Sequence, residues 1–100
     1  MTAKQFNAEM RAAAVGWLRY DQKCFLVCCE RSPFNEWFYR PDIIGVESRW
    51  RVLEIEVKHS LSDFKANASK RGHKLRWQFP LKFYFAVPPA LVEAVKPLLP

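Results

Sequence analysis

The chain has 100 residues, half of them hydrophobic, and a formal net charge of +6 at pH 7. This length and apolar content predict one domain over residues 1–100 with a buried core, which excludes wholesale disorder. The positive charge favours a polyanionic partner such as a nucleic acid, although a merely soluble basic protein would carry the same charge. The sequence contains no apolar run long enough to span a bilayer and no signal-peptide segment. We therefore expect a cytoplasmic protein without membrane contact.

Three cysteines, Cys24, Cys28 and Cys29, lie close together in the sequence. An odd number in one local cluster does not suit a disulfide framework. The chain has no second Cys or His pair at the spacing of a zinc site. We therefore expect these residues to be reduced thiols.

The spacing of apolar residues predicts a helix at the start of the chain, followed by strands. Phe6, Met10, Ala13 and Trp17 recur at helical spacing, so a helix is expected over residues 5–20. The next apolar runs are too short for typical helices and are bounded by turn-forming residues, which is typical of strands. The three strands predicted in this part of the chain cover residues 24–30, 42–46 and 50–58.

The second half of the chain predicts helix, strand and helix. Ser60 can cap a helix that carries an acidic residue three positions later. Residues 81–87 are nearly all apolar and predict a strand buried on both faces, and residues 90–96 predict a short last helix. The resulting order is α-β-β-β-α-β-α, which indicates the mixed α/β (α+β) class, with a four-stranded mixed sheet flanked by helices.

The third predicted strand has two unlike faces because side chains alternate along a strand. Leu53, Ile55 and Val57 fall on one face, whereas Glu54, Glu56 and Lys58 fall on the other. In an antiparallel hairpin, the start of one strand lies beside the end of the next. The hairpin therefore brings Asp42, at the start of the second strand, near Glu56 and Lys58.

This set of side chains suits phosphodiester hydrolysis. The reaction needs a divalent ion, carboxylates that hold it and a cation that stabilises the developing charge. Asp42 and Glu56 can bind Mg²⁺ or Mn²⁺ with the backbone carbonyl of Val57, and Lys58 can orient the attacking water or stabilise charge. The alternative is a solvent-facing strand whose Glu and Lys have no chemical role.

Further polar residues surround the predicted site. Glu54 shares the polar face and is an accessory candidate for metal contact. Asp63 and Asn67 lie on a helix face that could turn toward the site, although Asp63 could equally serve as a helix cap. A basic cluster without balancing acids favours phosphate binding over an ordinary solvated helix face. The predicted nucleic-acid-binding residues are Lys65, Lys70, Arg71, Lys74 and Arg76.

The Pro41-Asp42 and Glu56-Val57-Lys58 segments, in this element order, resemble the PD-(D/E)XK nuclease superfamily, and in particular a small bacterial and phage branch of it. The resemblance implies a restriction-endonuclease-like core and a metal-dependent nuclease, with Asp42 and Glu56 as metal ligands and Lys58 as the catalytic lysine. Many members also carry an acidic residue on the first helix. Glu9 is the candidate for that residue, with Asp21 or a surface role as alternatives.

We therefore expect a Mg²⁺- or Mn²⁺-dependent deoxyribonuclease, an endonuclease of DNA processing or repair in a bacterial cell or a phage-infected host. The alternative is a non-catalytic nucleic-acid-binding or accessory module that keeps the nuclease fold. Because 100 residues are near the minimum for this fold, a homodimer is an open alternative to a monomer.

Overall fold

A computed structural model describes residues 3–30, 42–66 and 81–99. Helix α1 (Ala3–Gly16) continues into a π-helical turn (Trp17–Asp21). No helix in these three stretches is long and apolar enough to cross a membrane. The element order is the predicted one. The strands are β1 (Cys24–Cys29), β2 (Ile43–Glu47), β3 (Val52–Val57) and β4 (Leu81–Ala86); helix α2 spans Leu61–Ala66, and two 3₁₀ turns (Pro89–Leu91 and Lys96–Leu98) flank helix α3 (Val92–Val95).

The four strands form one mixed sheet in the order β1-β2-β3-β4. Strand β2 is antiparallel to both β1 and β3, and β4 runs parallel to β3. The prediction that β4 is buried on both faces is wrong, because Lys82 is exposed and residues 83–86 are half-buried. Within the described chain, β4 is the last strand of the sheet, so a neighbouring strand borders it on one side only.

Helix α1 covers one face of the sheet. Ala14 and Leu18 pack on Ile43, Leu53 and Ile55, and these side chains form the larger hydrophobic core. The N–H of Gln22 donates to the carbonyl of Trp17, five residues earlier, so the last turn is wider than an α-helical turn. Leu18, inside this wide turn, is fully buried, whereas the predicted stripe residue Trp17 is only partly covered.

Gly45 on β2 allows the π-helical turn to approach the sheet closely. A Cβ atom at this position would lie 2.8 Å from the Sγ atom of Cys24 and 3.3 Å from both terminal methyls of Leu18. Contacts this short cannot be accommodated without a shift of the neighbouring side chains. The absence of a side chain at Gly45 is therefore a packing requirement.

A second, smaller hydrophobic cluster lies on the opposite face, around Ile44, Val46 and Val52. Near it, the ring of Phe64 on α2 packs edge-to-face on Phe85 of β4, with centroids 4.8 Å apart. Helix α2 begins with the predicted cap, since the N–H of Asp63 donates to the Ser60 hydroxyl at 3.1 Å.

An apolar groove of about 340 Å³ runs between α1 and β4, and Met10, Trp17, Ile55 and Tyr84 are among the residues that line it. Trp17 and Tyr84 meet edge-to-face across it, with centroids 5.0 Å apart. The groove lies on the α1 face of the sheet. It is therefore separated by the sheet from the acidic side chains of β3.

Candidate active site

The hairpin β2–β3 brings together the two halves of the predicted site. Ile43 pairs with Ile55 in the antiparallel register, so the next position outward sets Asp42 opposite Glu56. The Oδ2 atom of Asp42 accepts a hydrogen bond of 2.9 Å from the N–H of Val57. The predicted proximity of Asp42 to the Glu56–Lys58 segment is therefore confirmed.

The polar face of β3 is buried. The exposed fraction is 0% for Glu54 and 5% for Lys58, and 16% for the side chain of Glu56. The alternative of a solvent-facing strand is therefore wrong. This alternative fails because the same face of the sheet carries the second hydrophobic cluster. Alternation along a strand shows which residues share a face, but it does not show what packs on that face.

Glu56 and Lys58 form an ion pair inside this buried region. The Nζ atom of Lys58 lies 3.7 Å from the Oε1 atom of Glu56, and the backbone N–H of Lys58 donates to the carbonyl of Ala86 at 2.9 Å. The backbone hydrogen bond attaches the end of β3 to β4. It fixes the position from which the lysine side chain starts.

Glu54 lies deeper in the sheet than Glu56. It pairs with Ile44 on one side and with Phe83 on the other, two residues before Glu56 along β3. Two residues of a strand correspond to about 7 Å. Glu54 thus shares the face of the predicted ligands but lies away from the sheet end where Asp42 and Val57 meet.

Arg11 and Glu30 also belong to this site, and the sequence analysis missed both. The Nη2 atom of Arg11 lies 3.1 Å from Glu30 Oε1 and 3.9 Å from Asp42 Oδ1. The Nη1 atom of Arg11 and the N–H of Glu30 both donate to the Asp42 carbonyl, at 3.5 Å and 2.8 Å. The signal in the sequence was weak: Arg11 follows Met10 at the border of the apolar stripe, but its partners are remote in sequence.

The acidic candidates of the first helix lie elsewhere. Glu9 is exposed, and its position is two residues, or about 200° around the helix axis, from Arg11. Asp21 is exposed at the end of the π-helical turn. The side of α1 that contacts Asp42 therefore presents a guanidinium group.

The remaining predicted residues divide into two groups. The N–H of Asp63 donates to the hydroxyl of Ser60, which is the cap of α2. The Oδ2 atom of Asp63 lies 3.5 Å from Nδ1 of His59, so its carboxylate faces the loop after β3. Lys65 is exposed on α2. The other predicted residues lie outside the described part of the chain: Asn67, Lys70, Arg71, Lys74 and Arg76.

The donor set at the sheet end fits a hard divalent cation. In an extended strand, the N–H and C=O of one residue point to the same side, so the Val57 carbonyl is directed toward the side of Asp42. Over the described ranges, no group of three or more His, Cys, Asp or Glu side chains is arranged to hold a metal ion. Two carboxylates and one carbonyl nevertheless suit Mg²⁺, which commonly keeps several waters.

Each of the two candidate ligands lies beside a cation of the protein. Arg11 approaches Asp42, and Lys58 approaches Glu56. These contacts reduce the mutual repulsion of the carboxylates. A divalent ion binding at Asp42 would compete with Arg11 for the same oxygen.

Comparison with known proteins identifies a similar structure but no family. No protein-family model matches the chain, and no curated protein matches it. A solved structure described as "SPO1766 protein of unknown function from Silicibacter pomeroyi" is 26% identical, with a TM-score of 0.58. The similarity covers 87% of this chain and 55% of that one, so the chain spans about half the length of its structural neighbour.

Proposed function

We propose that the chain is a metal-dependent deoxyribonuclease with a PD-(D/E)XK site and a restriction-endonuclease-like core. On this proposal it acts as an endonuclease in DNA processing or repair, in a bacterial cell or a phage-infected host, with Mg²⁺ or Mn²⁺. The observation that carries the proposal is the buried Lys58–Glu56 pair at the end of β3, beside the carboxylate of Asp42.

Burial of this pair favours a chemical role over a structural one. Removing a lysine and a glutamate from water costs several kcal/mol per ion, and apolar side chains of similar size often stabilise a protein more. Lys58 and Glu56 also lie at a strand end next to Asp42, the other carboxylate ligand candidate, as a reaction centre requires. An ion pair with only a structural role would not have to lie at a strand end beside Asp42.

The residues have separate roles in this mechanism. Asp42, Glu56 and the Val57 carbonyl would hold the divalent ion, which supplies charge neutralisation at the phosphate and a more acidic water. The Lys58 ammonium, in its poorly hydrated position, holds the attacking water or stabilises negative charge on the phosphate. Val57 keeps the Asp42 carboxylate in place through its N–H.

The strand arrangement supports the proposed core. An antiparallel β1-β2-β3 sheet follows α1, and β4 returns parallel to β3 after α2. The positive net charge and exposed Lys65 on α2, directly after the site, are suited to a DNA substrate.

A non-catalytic DNA-binding module is the second candidate, and one observation favours it. Asp42 and Glu56 each have a protein cation nearby, so their charges are balanced without a metal ion. Calorimetric titration with Mn²⁺ separates the two functions. The nuclease requires binding at millimolar Mn²⁺ or below, whereas the module requires none.

The nuclease proposal is tested with end-labelled duplex, single-stranded, flap and four-way-junction DNA, each incubated with Mg²⁺, Mn²⁺ or EDTA. Cleavage of at least one substrate is expected with a metal ion and none with EDTA. Glu56→Gln should lower the cleavage rate by a factor of about 100 or more while the circular dichroism spectrum stays unchanged. Glu93→Gln, which removes an exposed carboxylate far along the chain, should cut like the parent.

A further inference from the structure

The turn between β2 and β3 carries an exposed tryptophan in an unfavourable backbone conformation. The N–H of Trp50 donates to the carbonyl of Glu47 at 2.9 Å and closes the turn, and the φ angle of Trp50 is 62°. Glycine or asparagine is the usual residue in this left-handed position of a hairpin. The Trp50 side chain is 69% exposed, so core packing does not compensate for the strain.

Phe25 meets this ring from the neighbouring strand. The centroids of Phe25 and Trp50 are 5.4 Å apart with the planes at 77°, and Phe25 is itself 58% exposed. A register irregularity between Cys24 and Leu26 leaves Phe25 outside the regular β1–β2 pairing. Such irregularities redirect side chains. The left-handed backbone of Trp50 and the register irregularity at Phe25 therefore expose two aromatic rings to solvent at one end of the sheet.

Basic side chains lie at the same end of the sheet as this aromatic pair. Arg51 donates to both carboxylate oxygens of Glu47, at 2.5 Å and 2.9 Å, and lowers the pKa of Glu47. Arg49 lies in the same turn as Trp50, and Lys82 pairs with Leu53 near the start of β4, at the same end of the sheet. Both also lower the pKa of Glu47. The region has an excess positive charge beside its exposed rings, which matches a polyanion that also offers aromatic faces.

We propose that Phe25, Trp50, Arg49 and Lys82, the turn patch, bind single-stranded nucleic acid. The rings would stack on bases while the two cations contact phosphates. Stacking needs unpaired bases, so single strands are favoured over duplex. A protein partner could cover the rings, but the excess positive charge matches the phosphates of a nucleic acid directly.

The turn patch is separate from the candidate active site. Lys58 follows Arg51 by seven positions of extended chain, which corresponds to about 23 Å along β3. Binding at the patch therefore does not depend on the nuclease proposal. It can be measured with EDTA present, when no cleavage is expected.

The test is fluorescence anisotropy with a labelled 15-nucleotide oligothymidylate and, separately, a 15-base-pair duplex, both in EDTA. Trp50→Gly should weaken binding of the single strand about tenfold, in line with the loss of one stacked base, and Phe25→Ala should do the same. The affinity for duplex should change less than twofold. Trp50→Phe keeps an aromatic ring and should retain most of the affinity.

Trp50→Gly is the most informative variant because glycine suits the backbone conformation at this position, so the hairpin should remain folded. Arg49→Gln should reduce the salt dependence of binding, whereas Lys96→Gln, whose lysine is already paired with Glu93, should not. Equal affinity of Trp50→Gly and the parent for oligothymidylate would overturn the proposal. The proposal would also be overturned if sedimentation showed that Trp50→Gly converts a dimer into a monomer while DNA binding stays unchanged.

Discussion

The Oδ2 atom of Asp42 accepts a hydrogen bond from the backbone N–H of Val57, at 2.9 Å, where the β2–β3 hairpin opens. This contact holds the Asp42 carboxylate against the residue that lies between Glu56 and Lys58. It leaves Oδ1 on the side that Arg11 approaches.

Replacement of Asp42 should separate its structural role from its proposed metal-binding role. Asp42→Asn keeps an oxygen that accepts from Val57, whereas Asp42→Ala leaves that N–H without its partner. Both variants should lose Mn²⁺ binding in calorimetry. In urea unfolding, Asp42→Ala should be less stable than Asp42→Asn by about 1 kcal/mol. Equal Mn²⁺ affinity in Asp42→Asn and the parent would remove Asp42 from the proposed ligand set.

Arg11 should weaken metal binding because it competes for Asp42 Oδ1. We expect Arg11→Met to bind Mn²⁺ up to about fivefold more tightly than the parent, since a partly exposed ion pair contributes at most about 1 kcal/mol. Arg19→Met, which removes an exposed arginine from the π-helical turn, is the matched control and should leave the Mn²⁺ affinity unchanged. Weaker Mn²⁺ binding by Arg11→Met would contradict competition.

Gly45 on β2 and Gly16 at the end of α1 should respond in opposite ways to a methyl group. Gly45→Ala places a Cβ atom against Cys24 and Leu18, so it should destabilise the fold by about 1–3 kcal/mol. Gly16→Ala, where a Cβ atom meets nothing within 4 Å, should stabilise the helix by about 0.5–1 kcal/mol. Urea unfolding measures both. Adding Cys24→Ala to Gly45→Ala should recover part of the loss, and its failure to do so would assign the clash to Leu18.

The stabilising effect of Glu47 should depend on pH. Hydrogen bonds from Arg51 hold the pKa of Glu47 below its usual value in the folded protein. The ionised carboxylate therefore stabilises the fold above its unfolded pKa of about 4.3, and this effect disappears as the pH falls through the lower folded pKa. The difference in unfolding free energy between the parent and Glu47→Gln should be largest near neutral pH and shrink below about pH 4.

Local sequence patterns predicted much of the fold and the pairing at the site. Alternation in β3 and the short β2–β3 connection were enough to predict that Asp42 lies near Glu56, because the start of one strand of an antiparallel hairpin lies beside the end of the next. The Ser60 cap also followed from local spacing. These features depend on residues that are close together in the chain.

The missed features depend on contacts between remote parts of the chain. Arg11 contacts Asp42 from 31 positions away, which no local spacing reveals. The burial of Glu54 depends on what covers the sheet, and alternation reports only which residues share a face. The left-handed conformation of Trp50 was missed because that position normally indicates glycine or asparagine.

The cleavage rate of Lys58→Met under single-turnover conditions tests the central claim most directly. Methionine keeps most of the length of the lysine and an apolar stem but removes its charge, so Mn²⁺ binding by Asp42 and Glu56 should persist in calorimetry. With the DNA substrate that the parent cuts best, the rate should fall by a factor of about 100 or more. A Lys58→Met variant that binds Mn²⁺ and cuts DNA at the rate of the parent would contradict the proposed active site.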